Sequence, residues 1–233
     1  MRALWLCSLV VALATGCTTF APPLRSTHYG APGRVDQGDI ELGGATGAPG
    51  FAPLYGGPRL GYGLRDWVSI EAGGDFARDG WALGYGGARL TLNPDRERKI
   101  HGAADLELGL GLGVGGETEA GDGRSWSERL AFGGYLGAGG GVHIAWFSLF
   151  GRGRVQSTAA DGIPWTFWWS AVGGLQFALG RYVDLYGAVG AAGFHAYEWG
   201  SGLIYDFGLM IHFDVAETHR RLRARREARK TSR

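Results

Sequence analysis

Between Ile100 and Trp146, apolar and small or polar residues alternate one by one. Leu106, Leu108, Leu110, Leu112 and Val114 fall on one parity, and Glu107, Gly109, Gly111 and Gly113 fall on the other. Successive side chains of a strand point to opposite faces, so one face is a continuous apolar ladder and the other is nearly bare. A helix would spread the leucines around its circumference and would lose about 0.5–1 kcal/mol at each glycine relative to alanine. After a polar stretch, Gly116 to Ser127, the pattern resumes. Leu130, Phe132, Leu136, Ala138 and Val142 oppose Gly133, Tyr135, Gly137, Gly139, Gly141 and His143. The two segments predict a long hairpin with one apolar face.

Similar segments recur along the chain, separated by turn signals. They are expected at about Val35–Gly43, Leu54–Gly63, Val68–Phe76 and Gly80–Leu92 before the hairpin, and three more begin near Phe147, Phe167 and Val183. The last carries Leu203, Tyr205, Phe207, Leu209, Ile211 and Phe213 against Asp206, Gly208, Met210, His212 and Asp214. Ten strands result, with eight as the runner-up. The fourth changes parity, from Trp81, Leu83 and Tyr85 to Ala88, Leu90 and Leu92, and a bulge near Gly86–Gly87 would reconcile the two sets. Connections at one end are short, as at Leu64–Asp66 and Ile144–Ala145. Those at the other are mostly longer, with Gly116–Ser127 the longest.

The ends of the chain read differently. Met1–Arg2, an apolar run from Ala3 to Ala14, and Leu13-Ala14-Thr15-Gly16-Cys17 have the form of an export signal and resemble a bacterial lipobox, although the family prefers Leu at the position held by Ala14. That resemblance implies a signal peptide over 1–16 and a lipidated Cys17; an ordinary signal peptide is the alternative. Residues 17–34, rich in Pro, Thr and Ser without periodicity, are expected to be a flexible tether. Residues 35–214 form the body, and 215–233 a basic tail with eight Lys and Arg against two Glu, a net +6. With Arg2 contributing one charge, the overall +1 leaves the body at −6.

Composition narrows the class. Glycine accounts for 44 of 233 residues, well above the usual share of about 7%, yet nine Trp, nine Tyr and eleven Phe accompany it and argue against disorder. Both cysteines, Cys7 and Cys17, are N-terminal, so the body has no disulfide framework. No apolar run after residue 14 reaches the ~18 residues of a membrane helix. If the exported chain crosses a membrane, it does so as a closed barrel.

Alternation also suits a β-sandwich, and four features favour lipid. The paired segments reach about the 9–11 residues of a spanning strand. Aromatics gather toward segment ends: Trp67, Trp146, Phe147, Tyr182 and Phe213 at one, Trp126, Trp165, Phe167, Tyr197 and Trp199 at the other. The leader exports the chain. Arg59, Glu71, Asp75, Glu107, Arg152, Arg154, Asp184, Asp206 and His212 lie on the non-apolar faces, where a barrel would turn them into its lumen. Over residues 35–214 the pattern resembles small bacterial outer-membrane β-barrel proteins as a broad class. That resemblance implies an all-β, closed, antiparallel up-and-down transmembrane barrel in the outer membrane, with an even strand number and both termini periplasmic.

The lumen of so small a barrel is largely filled by side chains. A polar plug is therefore expected, although the inward glycines would leave room for a narrow, porin-like water path. The function expected is structural or a narrow pore, with outer-membrane lipids as partners. The alternatives are a lipid-modifying enzyme, for which His195, Glu198 and Ser201 lie together near one loop, and a soluble lipid-anchored β-sandwich that binds a partner. His195 reads more simply as an interfacial polar residue, so no catalytic residue is assigned; no cofactor is assigned, and no metal, because the six histidines show no metal-ligand spacing. The tail is either a solvated extension or a contact to anionic headgroups or periplasmic polyanions. Export disfavours nucleic acid.

Overall fold

A computed structural model of the chain describes residues 21–33, 35–49, 55–77, 81–92, 99–118, 126–196 and 199–215. Ten strands follow in order: β1 Ile40–Pro49, β2 Tyr55–Arg65, β3 Val68–Ala77, β4 Ala82–Leu92, β5 Ile100–Thr118, β6 Trp126–Ile144, β7 Phe147–Ala160, β8 Ile163–Ala178, β9 Val183–His195 and β10 Trp199–Phe213. Each pairs antiparallel with its sequence neighbours, and β1 closes on β10 from Ile40↔Phe213 to Pro49↔Ile204. The fold is a closed all-β barrel of ten strands. Closure leaves no edge strand with unpaired backbone groups.

The alternation becomes an outside and an inside. Leu106, Leu108, Leu110, Leu112 and Val114 stand on the outer wall, 51–73% exposed, with no other part of the described chain over them. Glu107, between them in sequence, is 1% exposed on the inner wall. The end at which β1 starts and β10 finishes is called the near end, and the opposite one the far end. Trp67, Trp146, Tyr182 and Phe213 ring the outer wall at the near end, and Trp165, Phe167 and Trp199 at the far end. Turn residues Gly162 (φ +71°) and Gly180 (φ +87°) adopt left-handed backbone that glycine takes without strain. Gly190 instead permits two strands to approach closely, since a Cβ there would lie 2.6 Å from Val172 Cα. Gly190→Val is expected to force β8 and β9 apart and to cost about 1–3 kcal/mol, read as a lower temperature for loss of heat-modifiable gel migration.

Several expectations are corrected. β1 begins at Ile40, not Val35, and runs on past Gly43, where the expected strand ends, to Pro49. Side-chain periodicity is silent over glycines, whereas backbone pairing to β2 and β10 is not. The β5–β6 ladder continues to Thr118↔Trp126. The far-end connection shrinks to 119–125, and the expected difference in loop length between the ends largely disappears. The fourth strand has no bulge, since its registers with β3 and β5 pass unbroken through Gly86 and Gly87. Trp81, Leu83 and Tyr85 face inward with Arg89. Their apolar character misleads because the lumen holds a packed segment of its own.

That segment is the largest correction. The flexible tether expected over residues 17–34 is, over its described part Ala21–Gly33, a thread through the barrel. Ala21, Leu24, Arg25, Thr27, His28 and Tyr29 are completely buried. At the far end Ala21 bonds Thr166 and Trp168 and packs with Trp81, Leu83, Ala131 and Ala160. At the near end His143 bonds the Pro32 carbonyl. The even strand count does bring Ile40 and Phe213 to the same end, but the chain before β1 turns back through the lumen and reaches the opposite one. The described chain ahead of β1 thus ends at Ala21 on the far side, whereas β10 finishes at the near end. Cys17 and the tail beyond Val215 lie outside the described residues.

Candidate functional site

The candidate site is the lumen itself. An extended thread has no strand ladder for its backbone, and buried backbone groups need partners. Inward side chains supply them. The Arg25 N–H donates to Gln156 Oε1 (2.9 Å), and Gln156 Nε2 donates back to the Arg25 carbonyl (2.7 Å). Arg154 donates to the carbonyls of Arg25 (3.1 Å) and Thr27 (2.8 Å). The Ser26 N–H donates to Asp75, the His28 N–H to Asp206, the Tyr29 N–H to Tyr186 Oη and the Ala31 N–H to Gln176 Oε1. Arg152 donates to the Gly30 carbonyl (3.2 Å).

The inner glycines provide the room. A Cβ at Gly111 would fall 3.2 Å from Leu24, one at Gly139 3.2 Å from Pro32, and one at Gly43 3.3 Å from Tyr29. The sequence leaves the use of that space open between side-chain filling and a water path; the thread occupies it. Tyr29 (φ +57°) and Gly30 (φ +73°) put a left-handed bend into the thread. Such backbone costs a bulky residue about 1–3 kcal/mol, and the Tyr29 hydroxyl, donating to the Gly57 carbonyl (2.9 Å), helps to hold it.

The charges gather around Arg25. Its guanidinium pairs with Glu71 and, at 3.2 Å, with Glu107. It lies 5.0–5.4 Å from the ring centres of Tyr29, Tyr85 and Tyr135, within cation–π range. Arg59 joins Glu71 (2.9 Å) to Glu41 (2.7 Å), Arg152 joins Asp105 (2.9 Å) to Glu107 (3.3 Å), and Arg154 holds Glu107 at 2.6 Å. Arg89 approaches Glu71, Asp105 and Glu107. The Tyr135 hydroxyl donates to Glu71 (3.0 Å). With Asp75 included, the strands contribute five carboxylates and four arginines to this centre. The thread's Arg25 brings the fifth cation.

Of the residues singled out from the sequence, Arg59, Glu71, Glu107, Arg152 and Arg154 meet in this network, and Asp75 sits beside it on Ser26. Asp206 belongs to a second cluster, accepting from the Tyr186 hydroxyl (3.0 Å) and contacting His28 Nδ1 (3.1 Å), whose Nε2 meets Ser170 (2.9 Å). Asp184 and His212 form a third, 3.0 Å apart, with Glu41 and Gln176 as further partners. This pair borders a near-end cavity of about 760 Å³ that also touches Ala31, Glu41, Arg89 and His143.

Sequence reasoning did not single out Glu41, Arg89 and Asp105, although parity could have found them. Each stands between outward apolar residues on its strand. Arg25 and His28 left no such signal, because the thread has no period. His195 and Ser201 both stand exposed on the outer wall, His195 against the Trp199 ring at 4.3 Å. Glu198 lies outside the described residues. Among the described residues no three His, Cys, Asp or Glu side chains converge as a metal-binding set.

No protein-family model matches the chain, and no curated protein does. Among solved structures, the chain is similar to the N-terminal β-barrel domain of Pseudomonas aeruginosa OprF, at 14% identity over 76% of this chain and 98% of that one, with a TM-score of 0.40. It is also similar to Ail, the attachment invasion locus protein of Yersinia pestis, at 11% identity over 76% and 99%, with a TM-score of 0.27. The barrel assignment rests on this chain's own strand pairing, not on these distant likenesses.

Proposed function

We propose that the protein is a self-plugged outer-membrane β-barrel with a structural or anchoring role, held in addition by a lipid on Cys17. The observation that carries this reading is the fully buried Arg25, fixed between Glu71 and Glu107 at the centre of the lumen. Ions crossing the barrel would have to displace a segment whose backbone is bonded to the inner wall along its length. The outer wall supports a lipid environment: a soluble chain seldom leaves an unbroken ladder of leucines uncovered between two aromatic rings. Outer-membrane lipids are then its immediate partners, and the basic tail is available to anionic headgroups or other polyanions.

The direct test is conductance in a planar bilayer. The intact protein is expected to insert without steady current, and a variant lacking residues 21–33 to conduct. Steady ohmic current through the intact protein would overturn the closed-lumen reading.

A further inference from the structure

We infer that the chain ahead of Ala21 leaves the barrel at the far end, opposite the end at which β10 finishes, and that the lipid on Cys17 enters the leaflet at that end. The lipid half rests on the anchoring reading proposed for the protein; the choice of end rests on the thread alone.

The path is traceable residue by residue. Pro32 meets His143 on the near-end part of β6. Gly30 and Ala31 meet Arg152 and Gln176. Arg25 is central. Ala21 bonds Thr166 and Trp168, close to the far-end turn between β7 and β8. The thread has thus crossed the barrel by Ala21. Its direction is tied to particular pairs and not to a general fit. Reversing it would take Arg25 from Glu71 and Glu107, and His28 from Asp206.

Chain length then confines Cys17. Three residues lie between it and Ala21, and four residue steps of at most about 3.3–3.6 Å give a reach of roughly 14 Å. A bilayer's hydrocarbon core is about 30 Å thick. Cys17 therefore cannot return to the near-end leaflet while Ala21 stays seated between Thr166 and Trp168. The covalent step needs a phosphoglycerolipid as donor. The Cys17 sulfur forms a thioether to the glyceryl carbon of the diacylglycerol, the bond from that carbon to the phosphate oxygen breaks, and the released phosphate-bearing headgroup carries away the thiol proton. A lipidated chain must then be enclosed as the barrel forms, because a closed lumen this full would not admit it later.

Two readouts on the full-length protein in its membrane separate the two halves of the inference. The first is labelling of Thr19→Cys with a membrane-impermeant maleimide in intact cells. Asp122→Cys in the β5–β6 connection and Arg96→Cys in the β4–β5 connection mark the far and near ends. Thr19→Cys is expected to label as Asp122→Cys does, and unlike Arg96→Cys. Labelling that follows Arg96→Cys would overturn the choice of end. The second readout is incorporation of an alkynyl fatty acid, expected in the native chain and lost in Cys17→Ser. No incorporation into the native chain would overturn the lipid half and leave the labelling result to stand for the thread.

Discussion

Arg25→Ala is expected to be the most damaging single change in the lumen, lowering stability by about 3–5 kcal/mol, the usual cost of removing one partner from a buried ion pair. The physical cause is the charge left behind. Glu71 would keep Arg59 and Arg89, and Glu107 would keep Arg152 and Arg154, but the cluster would lose the cation that balances its five carboxylates. The tyrosines Tyr29, Tyr85 and Tyr135 would face a void where a guanidinium now sits. Arg25→Lys retains the charge without the planar fork that reaches two carboxylates at once, and should fall between wild type and alanine. The check is denaturant unfolding in detergent micelles together with the temperature of heat-modifiable migration. Combining Arg25→Ala with Glu71→Gln should recover part of the loss, since the double change removes charge from both sides. A shift below about 0.5 kcal/mol for Arg25→Ala, the range of ordinary surface changes, would mean that the thread is not held where Arg25 is placed.

Leu106→Arg should be nearly as costly, for a different reason. Leu106 is 52% exposed on the outer wall, opposite Leu90 and Ala138. It lies six residues from the near-end start of β5, which for a tilted strand is about 14 Å, near the middle of an apolar band about 25 Å tall. An arginine facing lipid at that depth costs about 2–4 kcal/mol. On a water-facing surface the same change would be worth less than about 0.5 kcal/mol. Leu106→Arg is thus a test of the solvent as much as of the residue. Folding yield into phospholipid vesicles, compared with that of Leu106→Ala at the same outer-wall position, gives the readout. Unchanged folding of Leu106→Arg would favour a soluble barrel.

How much of the fold is legible in the sequence follows from where periodicity applies. Strands β5, β6 and β10 carry long apolar ladders, and their existence, pairing and outward faces follow from alternation alone. Inward positions such as Glu107, Arg152, Arg154 and Asp206 follow from the same parity. The bounds of β1 escape it because glycines carry no side-chain signal. In β4, Trp81, Leu83 and Tyr85 look like outward residues and suggest a bulge; they pack instead on a lumenal segment that no local pattern announces.

The alternation of side chains is a local property, so the chain alone settled that its body is built of strands, which residues share a face in β5, β6 and β10, and that one of those faces is apolar; closure into a barrel came from the pairing of β1 with β10. What fills the barrel was decided only by the tertiary structure. Residues 21–33 have neither a repeat nor an apolar face. Their conformation is set by Gln156, Asp206, Tyr186, Gln176 and the Glu71–Glu107 pair, which lie 46 to 178 positions away along the chain wherever such a thread contact is made. Contacts of that span exist only once the barrel has closed, and they turn an apparent tether into the element that occupies the lumen.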